Sequence, residues 1–323
     1  MFKVRDLPLN PLEVVRLIED NMKRYGFPFP IPADAIYSWA KPLGLPARGS
    51  PMLYTGALYQ LMPYIASIID SLAKIEGSSV SVMALRVSRF LPGFLTGLVV
   101  KPRGEFQVYS ESILRSIVKL LKTSGVNVAY PYEGDLYSGV LLYDLGLDEL
   151  FREQALKVYK ALKERGATTV ITVDPHTTHI LRSIYPRYID GFDLEVKSYL
   201  EVLAESGFKP GYSIPRDVVI HDPCLYARFE NIVDQPRNLL ASIGVKYLEP
   251  RRTRRMTYCC GGPIEGLAPK MAKAIASSRL KELVEKSKSI VTLCPICYSN
   301  LKAVAGDDIE IIDIALLLSG EKS

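Results

Sequence analysis

No stretch of this sequence reaches the roughly 18 consecutive apolar residues that a membrane-spanning helix needs. The longest candidate, residues 90–100 (FLPGFLTGLVV), is too short. The opening MFKVRDLPLN has no apolar core of the kind a secretory leader carries, and polar, helix-like sequence follows it. Charge of one sign is also scarce. Forty Lys and Arg against 35 Asp and Glu leave a formal net charge of +5 over 323 residues, so overall charge makes no case for nucleic acid. These absences lead to the expectation of a cytoplasmic location, with peripheral contact at the inner membrane face as the alternative. Cysteine is sparse too, with five in all. In a reducing compartment they indicate metal or catalysis rather than structural disulfides.

What is there fits a well-filled globular protein: 48% hydrophobic and 23% charged residues. The length exceeds one typical domain, so one large or two medium domains are expected. Residues 11–25 read as an amphipathic helix, and a Pro-rich stretch from 27 to 50 reads as an extended, wrapping segment. Residues 52–56 (MLYTG) suggest a short strand entering a helix whose apolar face carries Leu58, Leu61, Met62, Ile65, Ile68, Ile69 and Leu72. Strand-like apolar runs recur at 169–173, 217–221, 290–293 and 309–312. Helical patterns separate them at 109–123, 147–165, 191–205 and 267–287. Apolar strands alternating with helices mean a parallel sheet covered on both faces, so the fold class is α/β.

The two halves of the chain overlay as an internal repeat. Ala57-Leu58-Tyr59 matches Cys224-Leu225-Tyr226, and Gly125-Val126 with Pro131 matches Gly244-Val245 with Pro250. Tyr137-Ser138-Gly139 matches Cys259-Cys260-Gly261, and ITVDPHT at 171–177 matches VTLCPIC at 291–297. The simplest architecture is two Rossmann-like halves related by a pseudo-two-fold axis, after an N-terminal helical and extended segment. The first half carries an insert at about 75–110.

All five cysteines fall in the second half: Cys224, the adjacent pair Cys259-Cys260 followed by Gly261, and Cys294-Pro-Ile-Cys297. Each lies at a strand end or in a loop. Strand C-termini in an open parallel sheet converge on one crevice, so the five are expected to meet. Thiolates suit zinc or an iron–sulfur cluster. Zinc takes four ligands in a closed tetrahedron, and two adjacent thiolates fit poorly around one small ion. They fit better on different irons of one cluster, and a fifth thiolate exceeds the four of a regular cube.

With these residues the sequence resembles the cysteine-rich CCG domain of the heterodisulfide reductase B/D family, shared with related subunits of glycolate oxidase, lactate utilisation and archaeal succinate dehydrogenase. Even the N-terminal stretch from IEDNMKRYGFPFPIP to MLYTGALYQ is similar to the segment leading into the first half of such proteins. The resemblance implies a non-cubane [4Fe-4S] cluster held by Cys224, Cys259, Cys260, Cys294 and Cys297, with Gly261 in the cofactor-binding turn. The first-motif positions are Ala57, Tyr137, Ser138, Asp174 and Thr177, so one cluster per chain is expected rather than two. The implied organisation is a wrapping segment over 1–50, a degenerate half over 51–190 and a cluster-binding half over 191–323. No cysteine remains for a fused ferredoxin module, so the implied partner is a separate ferredoxin-like or flavin-containing electron-transfer subunit. The implied substrate is a thiol or disulfide small molecule or a sulfur-carrier protein. The alternatives are an electron-transfer or membrane-docking subunit of a succinate-, lactate- or glycolate-type dehydrogenase, and a zinc-bound structural subunit.

Other residues carry two readings each. His176 and His179, in DPHTTH, are candidate catalytic proton donors to a substrate sulfur or parts of a polar loop whose Asp174 caps the next helix. His221 either donates a hydrogen bond to a cluster sulfur or is a structural strand-end residue. Arg251, Arg252, Arg254 and Arg255 either dock an acidic donor or form a solvated loop. Residues 86–101, apolar between basic ends, are a candidate lid, partner surface or membrane-interface contact.

Overall fold

The computed structural model describes residues 9–78, 81–90 and 102–320. Most of the apolar 90–100 run falls at 91–101, outside the described residues.

Helix α1 spans Pro11–Tyr25, with the bounds its sequence signals set. The Asn10 side chain accepts from the Leu12 amide at 3.0 Å, Pro11 opens the first turn, and Gly26 ends the helix at φ 74°. Val14, Ile18 and Met22 recur along one face and are buried. The Pro-rich segment then wraps the first half in short 3₁₀ turns, and the Gln60 side chain donates to the Ile36 carbonyl at 2.9 Å.

Strands β1 (Met52–Tyr54), β2 (Thr169–Thr172) and β3 (Glu195–Ser198) form a parallel sheet in that order. Strands β4 (Asp217–Ile220), β5 (Lys246–Leu248), β6 (Ser289–Thr292) and β7 (Glu310–Asp313) form a second parallel sheet in the order β5-β4-β6-β7. Ala129 makes a parallel bridge to Met52, so it sits beside β1 where β5 sits beside β4. The repeat read from the sequence is thus present in the topology. The central strands are buried on both faces, as their unbroken Val/Ile runs require.

The expected helix over 191–205 is half strand. Residues 195–198 pair with β2, and the helix begins at Tyr199, where Ser198 and Glu201 form a capping box. By topology β3 and its helix close the first sheet, as β7 and the helix Ile314–Ser319 close the second.

Helix α2 (Leu58–Ile75) and the helix Gly104–Thr123 join the halves. Ile113, Leu114, Ile117 and Leu121 of the latter share one core with Leu53 and Ile171 of the first sheet and Val218, Val291 and Ile312 of the second. Helix α3 (Ser81–Phe90) lies on α1, tied by Arg86 to Glu13 at 2.9 Å and Arg89 to Asp20 at 2.6 Å. Several polar ties cross between the halves, among them Lys273 to Asp70 at 3.1 Å and two that bury a carboxylate. The Tyr59 hydroxyl donates to Asp313 at 2.8 Å. Glu230 receives Ser183 at 2.7 Å, pairs with His179 at 2.6 Å and meets Arg182 at 3.5 Å.

Candidate metal centre

The fold brings all five cysteines together. Cys224 follows β4 and stands just before a π-helical turn, Tyr226–Glu230. Cys294 follows β6 and occupies the cap position of the helix Pro295–Lys302, which puts Cys297 one turn further in. Cys259 and Cys260 arrive on the loop that leads into the helix Pro269–Val284. Each thiol lies close enough to act electrostatically on the next, Cys224 on Cys259, Cys259 on Cys260, Cys260 on Cys297 and Cys297 on Cys294. Cys260, Cys294 and Cys297 are buried, and Cys224 and Cys259 are partly exposed.

Two glycines permit this approach. Gly261 has φ 92°, and a Cβ there would meet the Ala272 carbonyl oxygen at 2.5 Å. A Cβ on Gly262 would meet the Ile296 side chain at 2.6 Å and the Cys260 sulfur at 3.6 Å. The Gly261 amide donates to the Cys259 sulfur at 3.3 Å. Donation from Cys224, then from Cys260 and from the Gly261 amide, holds the Cys259 thiol well below its ordinary range. Cys294 is also held well below it. Burial opposes that shift, but donation from Cys297 and His176 outweighs burial.

Three buried groups surround the thiols. His221 has a ring nitrogen within 4.8 Å of both the Cys260 and Cys297 sulfurs. Its Nδ1 accepts from the Arg279 Nε at 3.1 Å, so the ring proton is on Nε2, which has no hydrogen-bond partner among the described residues. Burial, then the Arg279 charge, pushes the His221 pKa well below its usual value and keeps the ring neutral. A neutral imidazole with an unspent N–H beside two sulfurs is a donor for a negatively charged sulfur cluster. Arg279 is itself held by Glu282 at 3.2 Å and by the Arg252 carbonyl at 2.9 Å. His176 bonds the Cys294 side chain. Burial alone would lower its pKa, but Cys294, Asp174 and Asp144 raise it to about 9. Glu265 accepts from the Asn300 amide at 2.5 Å, and burial raises its pKa to about 7.

Five convergent thiols, a buried N–H donor with no partner among the described residues, and a glycine turn pressed against a sulfur fit an iron–sulfur cluster. Cys224, Cys259, Cys260, Cys294 and Cys297 are the residues that would hold it.

The other candidates separate. Asp174 caps the turn Pro175–His179, accepting from the His176 and Thr177 amides at 2.8 and 3.0 Å. His179 pairs its Nδ1 with Glu230, and its ring lies 5.1 Å from that of Phe229. Of the basic run, Arg252 binds Glu282 at 2.9 Å and lies 3.9 Å from the Tyr258 ring, and Arg254 binds Asp234 at 2.7 Å. Arg279, Glu265 and Asp144 were not legible as site residues, because no local pattern marks a charge that tertiary packing carries inward.

The class is defined by residues 218–302, which match the family model described as a cysteine-rich domain, CCG. The chain carries a CCG cysteine-rich domain and is homologous to iron–sulfur oxidoreductase subunits. It is 31% identical over 195 residues to one of the subunits of dihydromethanophenazine:CoB–CoM heterodisulfide reductase from Methanosarcina mazei, covering 57% of this chain and 48% of that one. It is 29% identical over 229 residues to the probable iron-sulfur-binding oxidoreductase FadF of Bacillus subtilis, covering 67% of this chain and 32% of that one. The EtfAB:quinone oxidoreductase of Syntrophomonas wolfei is 26% identical over 224 residues, 63% of this chain and 31% of that one. The match thus spans about a third of the length of several of these curated relatives. Among the described residues no helix is long and apolar enough to cross a membrane.

Proposed function

We propose that Cys224, Cys259, Cys260, Cys294 and Cys297 hold one [4Fe-4S] cluster per chain in non-cubane form, and that the protein is the iron–sulfur subunit of a heterodisulfide-reductase-like complex. The observation that carries this reading is the unbroken series of thiol contacts from Cys224 to Cys294 at the ends of β4 and β6. When bound, such a cluster supplies one-electron transfer. The chain's own residues do the rest. The Gly261 amide and the His221 Nε2–H stabilise negative charge on sulfur, Arg279 fixes the His221 tautomer, and His176 holds a proton at the Cys294 sulfur. His179 is a structural residue in this scheme, engaged by Glu230.

The Methanosarcina heterodisulfide reductase and the EtfAB:quinone oxidoreductase are named as redox enzymes. By that likeness a ferredoxin-like or flavin-containing protein is the electron-exchange partner here. The partly exposed Cys224 and Cys259 mark the side on which it would approach. Elemental analysis of anaerobically purified protein tests the proposal. About four irons and a matching amount of acid-labile sulfide per chain are expected, with an electron paramagnetic resonance signal on oxidation or reduction. Stoichiometric zinc without iron or sulfide would overturn it and leave a structural zinc subunit.

A further inference from the structure

The π-helical turn Tyr226–Glu230 follows the partly exposed Cys224, and the short turn Arg254–Met256 precedes the partly exposed Cys259. The two turns pack against each other, and Arg228 ties them by donating to the Thr257 carbonyl. A large apolar side chain stands out on each: Phe229 is 63% exposed and Met256 76%. The second turn is held rather than loose. Arg254 sits in the left-handed region at φ 53°, a state that arginine keeps only where its surroundings impose it. Its amide donates to the Asp222 carboxylate at 2.7 Å, and the Thr253 hydroxyl donates to the same group at 3.1 Å. The Thr257 hydroxyl donates to the Asp222 carbonyl at 2.8 Å. Asp222 is itself clasped by the buried Arg237 at 2.8 and 2.9 Å.

The charges of this surface do not cancel. Between residues 222 and 259 the acidic side chains are Asp222, Glu230, Asp234 and Glu249. Asp222 and Glu249 hold Arg237, Glu230 holds His179 and Arg182, and Asp234 holds Arg254. Arg228, Arg251 and Arg255 are exposed and have no carboxylate partner among the described residues. A small free anion would use these charges and leave Phe229 and Met256 in water. A protein face with carboxylates around an apolar centre uses both, and aromatic, methionine and arginine side chains are the ones in which protein interfaces are enriched. We propose that this surface docks an acidic protein carrying a one-electron centre, with Arg228, Arg251 and Arg255 meeting its carboxylates and Phe229 and Met256 its apolar centre. The inference rests on the reading of the cysteines as a redox centre and deepens it by giving the partner a surface and a sign of charge. One electron passes between the two centres, one being oxidised as the other is reduced, and no bond forms or breaks.

The probe is a purified plant-type [2Fe-2S] ferredoxin, chosen for its acidic surface and titrated calorimetrically into the full chain purified anaerobically with its metal. Saturable binding is expected at low salt, weakened about tenfold or more at about 0.3 M salt. Arg251→Glu combined with Arg255→Glu is expected to weaken it about tenfold or more at low salt. Arg251→Lys combined with Arg255→Lys is expected to keep most of the affinity, since the charge stays. Iron, sulfide and thermal midpoint should remain at the parent's values in both. Lys157→Glu combined with Lys160→Glu makes the same change of net charge on the helix Asp148–Glu164 of the first half and is expected to leave binding unchanged. The rate at which the dithionite-reduced probe passes its electron to the centre should follow the affinity across these variants. Absence of saturable binding to an iron-loaded chain would overturn the proposal and leave the cluster reading standing. Equal weakening by the two glutamate pairs would overturn it too, because net charge alone would then account for the binding. Tighter binding of a single-stranded oligonucleotide than of the probe would overturn it in favour of a nucleic-acid surface. Arginine-dependent binding to a chain that proves to hold zinc would keep the docking surface and remove the electron exchange, so the two failures are distinguishable.

Discussion

The two halves of this molecule share a backbone plan and differ in what fills its focal point. In the second half the residues at the strand ends are Cys224, Cys259, Cys260, Cys294 and Cys297, and their sulfurs contact chiefly one another. In the first half the matching residues are Ala57, Tyr137, Ser138, Asp174 and Thr177, and the protein closes over them. The Thr177 hydroxyl donates to the Thr55 carbonyl at 3.3 Å, the Tyr137 hydroxyl accepts from the Leu141 amide at 3.0 Å, and Tyr185 and Gln154 donate to the Ser138 and Tyr137 carbonyls at 2.9 and 2.7 Å. A Cβ on Gly56 would meet Thr177 at 2.6 Å and Ser138 at 3.0 Å, so that site is packed shut. The difference teaches that a repeat can keep its geometry without the thiols of its twin, because side-chain volume and hydrogen bonds fill the focal point instead.

Exchanging the roles of matched positions would break this comparison. The largest effect is expected from Cys260→Ser, which removes a buried thiol at the middle of the series. Iron and sulfide should fall below half of the parent's content in the purified chain, and full retention would show that Cys260 is not a ligand. Tyr137→Ala, at the position matching Cys259, should do the reverse. It should cost about 3–5 kcal/mol in denaturant unfolding, as large buried aromatics do, and leave iron per chain unchanged. Asp313 comes next. Burial raises its carboxyl to about 7 while the Ala315 amide and the Tyr59 bond oppose that shift. The folded protein therefore holds a proton that the unfolded chain releases near pH 4. Stability should decline as pH rises from about 4 to about 7 and level off above, by something on the order of 1–4 kcal/mol. Asp313→Asn should flatten that decline in unfolding curves at pH 5 and pH 8. The smallest effect is expected from Ser138→Ala. The Ser138 hydroxyl is fully buried with no partner among the described residues, so its loss should leave stability unchanged or raise it by up to about 1 kcal/mol. A clear destabilisation would mean that the first site does hold something through that hydroxyl.

The sequence carried much of this because the decisive features are local. Helix α1 is bounded by Asn10, Pro11 and Gly26, and the cysteine set announces itself by residue type. The repeat was visible because Gly139 and Gly261 both need positive φ, 82° and 92°, just after the focal residues. What was missed depends on neighbours distant in sequence. β5 is three residues long and only partly buried, with no alternation to betray it. β3 hid in an apparent helix because Glu195–Ser198 becomes a strand only by pairing with β2. His179 and His176 are three residues apart in one motif, yet one faces Glu230 and the other Cys294. No spacing rule separates them.

The Glu230 clasp and the Tyr59–Asp313 bond have a consequence for traffic. Alongside the Lys270–Glu76 and Lys273–Asp70 contacts they rivet the lobes, so a clamshell opening about a hinge would have to break all of them and expose two buried carboxyl groups. Opening the lobes is therefore costly, and with them shut the partly exposed sulfurs of Cys224 and Cys259 are the part of the cysteine site that solvent reaches.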